Sequence, residues 1–155
     1  MKDYKGGVVN FKLCEIGITY TPKKFKVSEL PKATQSSDCD AYLRCVYPSL
    51  NHCEYFYIMC MNNDNRILGC SQISKGGMTG TVIDVRIILQ TALKSNATCI
   101  ILSHNHPSGN LIPSSHDKDM TRKIKEAGTQ LDIKVLDHII LTPDSYFSFA
   151  DEGLI

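Results

Sequence analysis

The chain has 155 residues, 43% hydrophobic and 21% charged, with a formal net charge of +1. That balance fits one domain with its own core and excludes a general electrostatic attraction to nucleic acid. No basic start leads into an apolar run of signal-peptide type, no stretch nears the about 18 apolar residues of a membrane span, and a cytoplasmic setting is expected.

Met1–Gly7 reads as a loose charged start, and Val8–Tyr20 as an extended arm with mixed alternation. Thr21–Pro31, with lysines and prolines, reads as linker and turn. Its basic run Lys23, Lys24 and Lys26 reads as a solvated face. The organisation expected is therefore an arm and linker over 1–34 and a folded domain over 35–155.

Ser36–Tyr47 is the first helix, with Ser36 or Ser37 as cap and Ala41, Tyr42, Cys45 and Val46 as its apolar face. Pro48 ends it. Glu54–Met61 and Arg66–Ile73 are strands joined by the turn Asn62-Asn63-Asp64-Asn65, a hairpin. Gly76, Gly77 and Gly80 lack the lysine and spacing of a phosphate loop and read as a flexible connection. Asp84 opens a second helix running to about Lys94, with Val85, Ile88, Leu89 and Ala92 on one face. Ala97–Leu102 is a short buried strand, Ser115–Ala127 a third helix that Gly128 can end, and Ile133–Leu141 and Tyr146–Phe149 two last strands. Strands and helices in this order make an α/β domain, a mixed sheet with flanking helices and no internal repeat. The seven cysteines are odd in number and form no Cys-x-x-Cys, so they support neither a disulfide scaffold nor a four-cysteine zinc site.

Ser103–Asp117, SHNHPSGNLIPSSHD, holds the chemistry. His104 and His106 stand two apart at the end of a strand, so they share a side. Pro107, Gly109 and Pro113 make a tight loop, after which Ser114 or Ser115 can start the helix with Asp117 in its first turn. Zinc takes imidazole and carboxylate ligands, and a catalytic site keeps one position open. A structural histidine pair beside an aspartate that favours a helix N-terminus fits the same spacing, and His-x-His alone does not decide between the two.

His104-Asn105-His106-Pro107-Ser108-Gly109 followed by Pro113-Ser114-x-x-Asp117 resembles the metal motif of the JAB/MPN (JAMM) metalloprotease superfamily. Asn between the histidines and Pro-Ser-Gly after them resemble its RadC-like branch. The likeness continues through Thr121, Asp137-His138-Ile139-Ile140 and Tyr146-x-Ser148-Phe149-x-x-x-Gly153, and covers roughly residues 35–155.

This resemblance implies a JAB/MPN (cytidine-deaminase-like) fold and a Zn²⁺ held by His104, His106 and Asp117. It also implies a metallopeptidase or isopeptidase acting through a zinc-bound water on a peptide or isopeptide-linked protein. Glu54 then matches the proton shuttle and Ser114 the oxyanion donor; helix capping is the competing role for Ser114, and the two roles can be shared with Ser115 as cap. Without the resemblance Glu54 reads as a surface glutamate at a strand edge. Asn105 points away from the histidines and can fasten the loop; His138 is a satisfied core histidine or a partner that orients a ligand. His116 reads as exposed, and Cys99 as buried and not a ligand. Two alternatives stand beside the hydrolase: a DNA-associated repair accessory protein, from the label that the RadC-like branch carries, and a non-catalytic, metal-bearing interaction domain.

Overall fold

The computed structural model of the chain describes residues 26–76 and 83–155. The arm at Val8–Tyr20, Lys23 and Lys24 of the basic run, and the glycines Gly77 and Gly80 lie outside the described residues.

The elements follow the order α1 (Ser36–Val46), β1 (Tyr55–Met61), β2 (Ile67–Lys75), α2 (Val85–Lys94), β3 (Cys99–Asn105), α3 (Ser115–Thr129), β4 (Lys134–Leu141) and β5 (Tyr146–Ser148). The strands form one sheet in the order β2-β1-β3-β4-β5. Only β3 and β4 run parallel, with α3 as the crossover between them. The other neighbours are antiparallel. The mixed sheet with flanking helices is the architecture expected from the order of the elements, and it is consistent with the JAB/MPN fold that the resemblance implied.

Alternation along β1 sorts the core into two layers. Tyr55, Tyr57, Met59 and Met61 pack with Cys39, Leu43 and Tyr47 of the α1 side. Phe56, Ile58 and Cys60 pack with Ile88, Ala92 and Ile124 of α2 and α3. Both β1 and β3 are buried along their whole length, which explains why they read as continuous apolar runs.

Several expectations need correction. The stripe Ala41, Tyr42, Cys45 and Val46 faces solvent, and α1 buries Cys39 and Leu43 instead. Two polar anchors set this rotation. Arg44 donates to the carbonyls of Thr142, Pro143 and Ser145, and the Ser36 hydroxyl donates to Asp151 at 2.6 Å. Neither Ser36 nor Ser37 caps α1; the cap position is Gln35, where Asp38 accepts from the N–H groups of Thr34 and Gln35.

Gly128 does not terminate α3, which runs through it to Thr129. A Cβ at Gly128 would lie 2.6 Å from the Ile133 carbonyl oxygen, so glycine answers a close backbone approach. Asp132, at φ 55°, takes the left-handed position in the turn that follows. The end of the expected linker is tied down as well. Ile67 N–H donates to Pro31 O at 2.8 Å, and the Arg66 guanidinium holds the carbonyls of Ser28 and Leu30.

Among the described residues, no helix is long and apolar enough to cross a membrane. Their six cysteines are free thiols.

Candidate metal centre

The site lies where β3 ends and β1 begins. Those strands are antiparallel, with Phe56 opposite His104. Glu54 lies just ahead of β1 and His106 just past β3, at the same end of this strand pair. Even-numbered residues at this end share the α2/α3 face, as Phe56 and Leu102 show. His106 keeps sheet-like bonding after the strand, with its N–H donating to Leu141 O at 2.8 Å.

The loop from His106 to Pro113 is closed by its own bonds. Gly109, at φ 79°, turns the chain, and its N–H donates to His106 O at 3.1 Å. The His106 Nδ1 faces Asn110 O at 2.6 Å. A carbonyl only accepts, so Nδ1 carries a proton, which in the neutral ring leaves the lone pair on Nε2.

Ser114 is the N-cap of α3, and this replaces the assignment of that role to Ser115, which is the first helical residue. The Ser114 hydroxyl accepts from Asp117 N–H at 3.1 Å and donates to Asp117 Oδ2 at 2.6 Å. Its backbone N–H donates to the same oxygen at 2.7 Å. The reciprocal bonds of this capping box aim the carboxylate back over the histidines.

Three ligand atoms converge as a result. His104 Nε2 and His106 Nε2 lie 2.9 Å apart, with Asp117 Oδ1 3.4 Å from the first and Oδ2 4.0 Å from the second. A zinc ion with bonds of about 2.0–2.1 Å in tetrahedral array separates its ligands by about 3.3 Å. Imidazole nitrogens and a carboxylate at this spacing fit such an ion. Among the described residues, His104, His106 and Asp117 form the one group of this kind.

The electrostatics fit ligands rather than free charges. Burial pushes the His104 imidazole down to about 4, against the pull of Asp117. Burial raises the Asp117 carboxyl, but the histidines and the Ser114 bonds more than offset that, and it lies below its ordinary value. Glu54, half-buried, is raised by loss of solvent; His106 opposes this and Asp117 adds to it. Glu54 therefore shares a field with two of the three cluster residues.

Asn105 points the other way. Its amide donates to Leu50 O at 3.1 Å and Cys53 O at 3.0 Å, while its oxygen accepts from Tyr55 N–H at 2.8 Å. It thus fastens the segment that carries Glu54 and does not touch the ligand atoms. His138 is fully buried, with Nε2 2.7 Å from His104 Nδ1 and Nδ1 2.6 Å from Thr121 Oγ1. Phe149 stacks on its ring at 4.7 Å. His116 is exposed, and Cys99 bonds Asn62 O away from the cluster.

Thr121 belongs to the stretch that resembles the RadC-like pattern, with no role of its own implied there. Its place one helical turn after Asp117 was the available signal. His138 reaches the site through an irregularity in β4. Ile100 pairs with Val135 but Ile101 with Asp137, leaving Leu136 as the extra residue. Val135 faces the α2/α3 layer, whereas Ile139 and Leu141 face α1. The bulge switches the phase and puts His138 on the ligand side.

The model of the RadC-like JAB domain matches residues 33–154. Similar curated proteins are a UPF0758 protein of Flavobacterium johnsoniae, 45% identical over 83% of this chain and 56% of that protein, and one of Porphyromonas gingivalis, 35% identical over 86% and 60%. A third, of Geotalea uraniireducens, is 44% identical over 66% and 45%. The chain spans about half the length of the curated relatives it matches.

Proposed function

The chain belongs to the RadC-like JAB family of the JAB/MPN superfamily, and from that premise we propose that it is a zinc-dependent hydrolase of peptide or isopeptide bonds. The observation that carries this reading is the convergence of His104, His106 and Asp117 beside Glu54. These three residues would hold the metal and leave a position open. A bound zinc supplies Lewis acidity and lowers the pKa of water at that position.

The chain's own residues do the rest. Glu54 accepts the proton of the attacking water and returns it to the leaving nitrogen. Ser114 holds Asp117 in the resting state through its single hydroxyl proton. That proton turns to the substrate oxygen as negative charge builds there, a contribution of about 3 kcal/mol to the barrier for a well-placed donor. Asn105 keeps the Glu54 segment in register with the histidine loop.

Protein purified without added metal, then reconstituted with zinc, should hold close to one ion per chain by elemental analysis. It should cleave members of a peptide and isopeptide library in a chelator-sensitive way. Failure to bind zinc sinks the reading; zinc without turnover leaves a metal-bearing interaction domain.

One feature favours a second reading, a DNA-associated accessory role. Lys118, Arg122 and Lys125 line a surface pocket along α3 together with Leu154, Ile155 and Asp119, the partner of Arg122. Titration with single-stranded, duplex and branched DNA at two salt concentrations tests it. Absence of binding tighter than about 10⁻⁴ M at low salt removes this reading.

A further inference from the structure

We infer that Thr121 and His138 are positioning residues that set the tautomer and ring orientation of His104 through a directed chain of hydrogen bonds starting at the Asp117 backbone. The inference deepens the metal-site reading and rests on it for its purpose. The direction of the chain follows from counting protons.

The Thr121 hydroxyl lies 2.6 Å from Asp117 O and 2.6 Å from His138 Nδ1. A carbonyl can only accept, so the one hydroxyl proton goes to Asp117 O. Toward His138 the same oxygen can then only accept, and His138 Nδ1 must carry a proton. His138 is fully buried, with no carboxylate bonded to its ring, so the ring is neutral. A neutral imidazole with its proton on Nδ1 presents a lone pair at Nε2. That atom faces His104 Nδ1 at 2.7 Å and accepts its proton. His104 Nε2 is left with a lone pair, aimed at His106 Nε2 and Asp117 Oδ1.

The chain of bonds ties one ligand to another by a route that does not pass through a metal. It starts on the backbone of Asp117, crosses two buried side chains and ends on His104. His106 reaches the same tautomer independently, through Asn110 O. The two imidazoles therefore present lone pairs to one point, an arrangement that a cation relieves. Packing holds the rings in place, with Phe149 stacked on His138 and Phe56 on His104. Thr121 is 2% exposed, so water does not replace its hydroxyl.

The test uses the full chain, labelled with ¹⁵N in histidine, first without metal and then with zinc alone. Long-range proton–nitrogen spectra of the metal-free protein should show His104 and His138 both protonated at Nδ1. Thr121→Val keeps the shape and removes the hydroxyl; it should shift His138, and with it His104, away from that single tautomer. Zinc affinity should fall about 10–100-fold, the usual cost of losing an outer partner. Thr121→Ser should restore both readouts, and His138→Gln, which keeps an acceptor near Nε2, should bind zinc better than His138→Leu. Melting curves identify the temperature at which each variant is folded, and comparison is made there.

A metal-free parent with His104 protonated at Nε2 overturns the inference, as does a Thr121→Val protein with parental tautomers and parental zinc affinity. A parent that binds no zinc yet shows the Nδ1 pattern, lost in Thr121→Val and regained in Thr121→Ser, sinks the metal reading and upholds the chain of bonds.

Discussion

Glu54 precedes β1 and His106 follows β3 at the same end of the two strands, and their substitution tests holding a metal apart from using it. His106→Ala removes one of the three groups proposed to hold the metal, from a largely buried position. Zinc affinity should fall more than about 100-fold, beyond the cost of an outer partner, as measured by competition with a chelating dye. A variant that binds as the parent does would remove His106 from the ligand set. Glu54→Gln keeps shape and removes the base. Zinc should stay, and turnover should drop by about 10²–10⁴-fold. Titration gives an independent check with a definite sign. Burial and the nearby Asp117 charge raise the Glu54 carboxyl of the metal-free protein, with His106 opposing. Its midpoint, followed by carboxyl NMR without metal, should lie above the ordinary glutamate value, and a midpoint at or below that value would contradict the burial of Glu54.

At the scale of single elements, the rotation of α1 and the end of α3 are the informative cases. Leu43 is fully buried and Val46 is 38% exposed. Leu43→Ala should cost about 2–5 kcal/mol by urea denaturation, and Val46→Ser should stay within about 0.5 kcal/mol. The opposite ranking would mean that the helix sits on its other face. In α3, Gly128→Ala brings two effects into conflict. Alanine favours a helix interior by about 1 kcal/mol. Its Cβ, however, would meet the Ile133 carbonyl at 2.6 Å, and relieving such overlap costs about 1–3 kcal/mol. Net destabilisation is expected, and a rise in melting temperature would refute the close approach.

For the molecule as a whole, metal binding is linked to folding, because an ion that binds the native state alone stabilises it by mass action. Zinc at 100 times its dissociation constant contributes about 2.7 kcal/mol. For a chain of this size that corresponds to a rise in melting temperature of about 5–10 °C. Calorimetry with and without zinc should show the rise in the parent and not in His106→Ala. An equal rise in both proteins would place the stabilising ion away from the histidine pair.

Much of this was legible in the residues themselves. Two-residue periodicity put His104 and His106 on one side, and the Ser114-to-Asp117 spacing marked a helix start that returns a carboxylate to them. These are local rules, and they hold wherever the backbone is regular. The face of α1 was not legible, because its sequence carries two apolar stripes and only distant anchors, Arg44 on the turn after β4 and Ser36 on Asp151, choose between them. The destination of Asn105 depends on the loop before β1, some fifty residues away. Above all, the placement of His138 depends on the extra residue Leu136 in β4. A bulge leaves no mark in composition, since it arises from how one strand must pair with its neighbour. Local sequence thus determined which groups can hold a metal and which way their strand and helix present them. Only the packed sheet decided which buried side chains stand behind those ligands, because the phase of a strand is set by its partner.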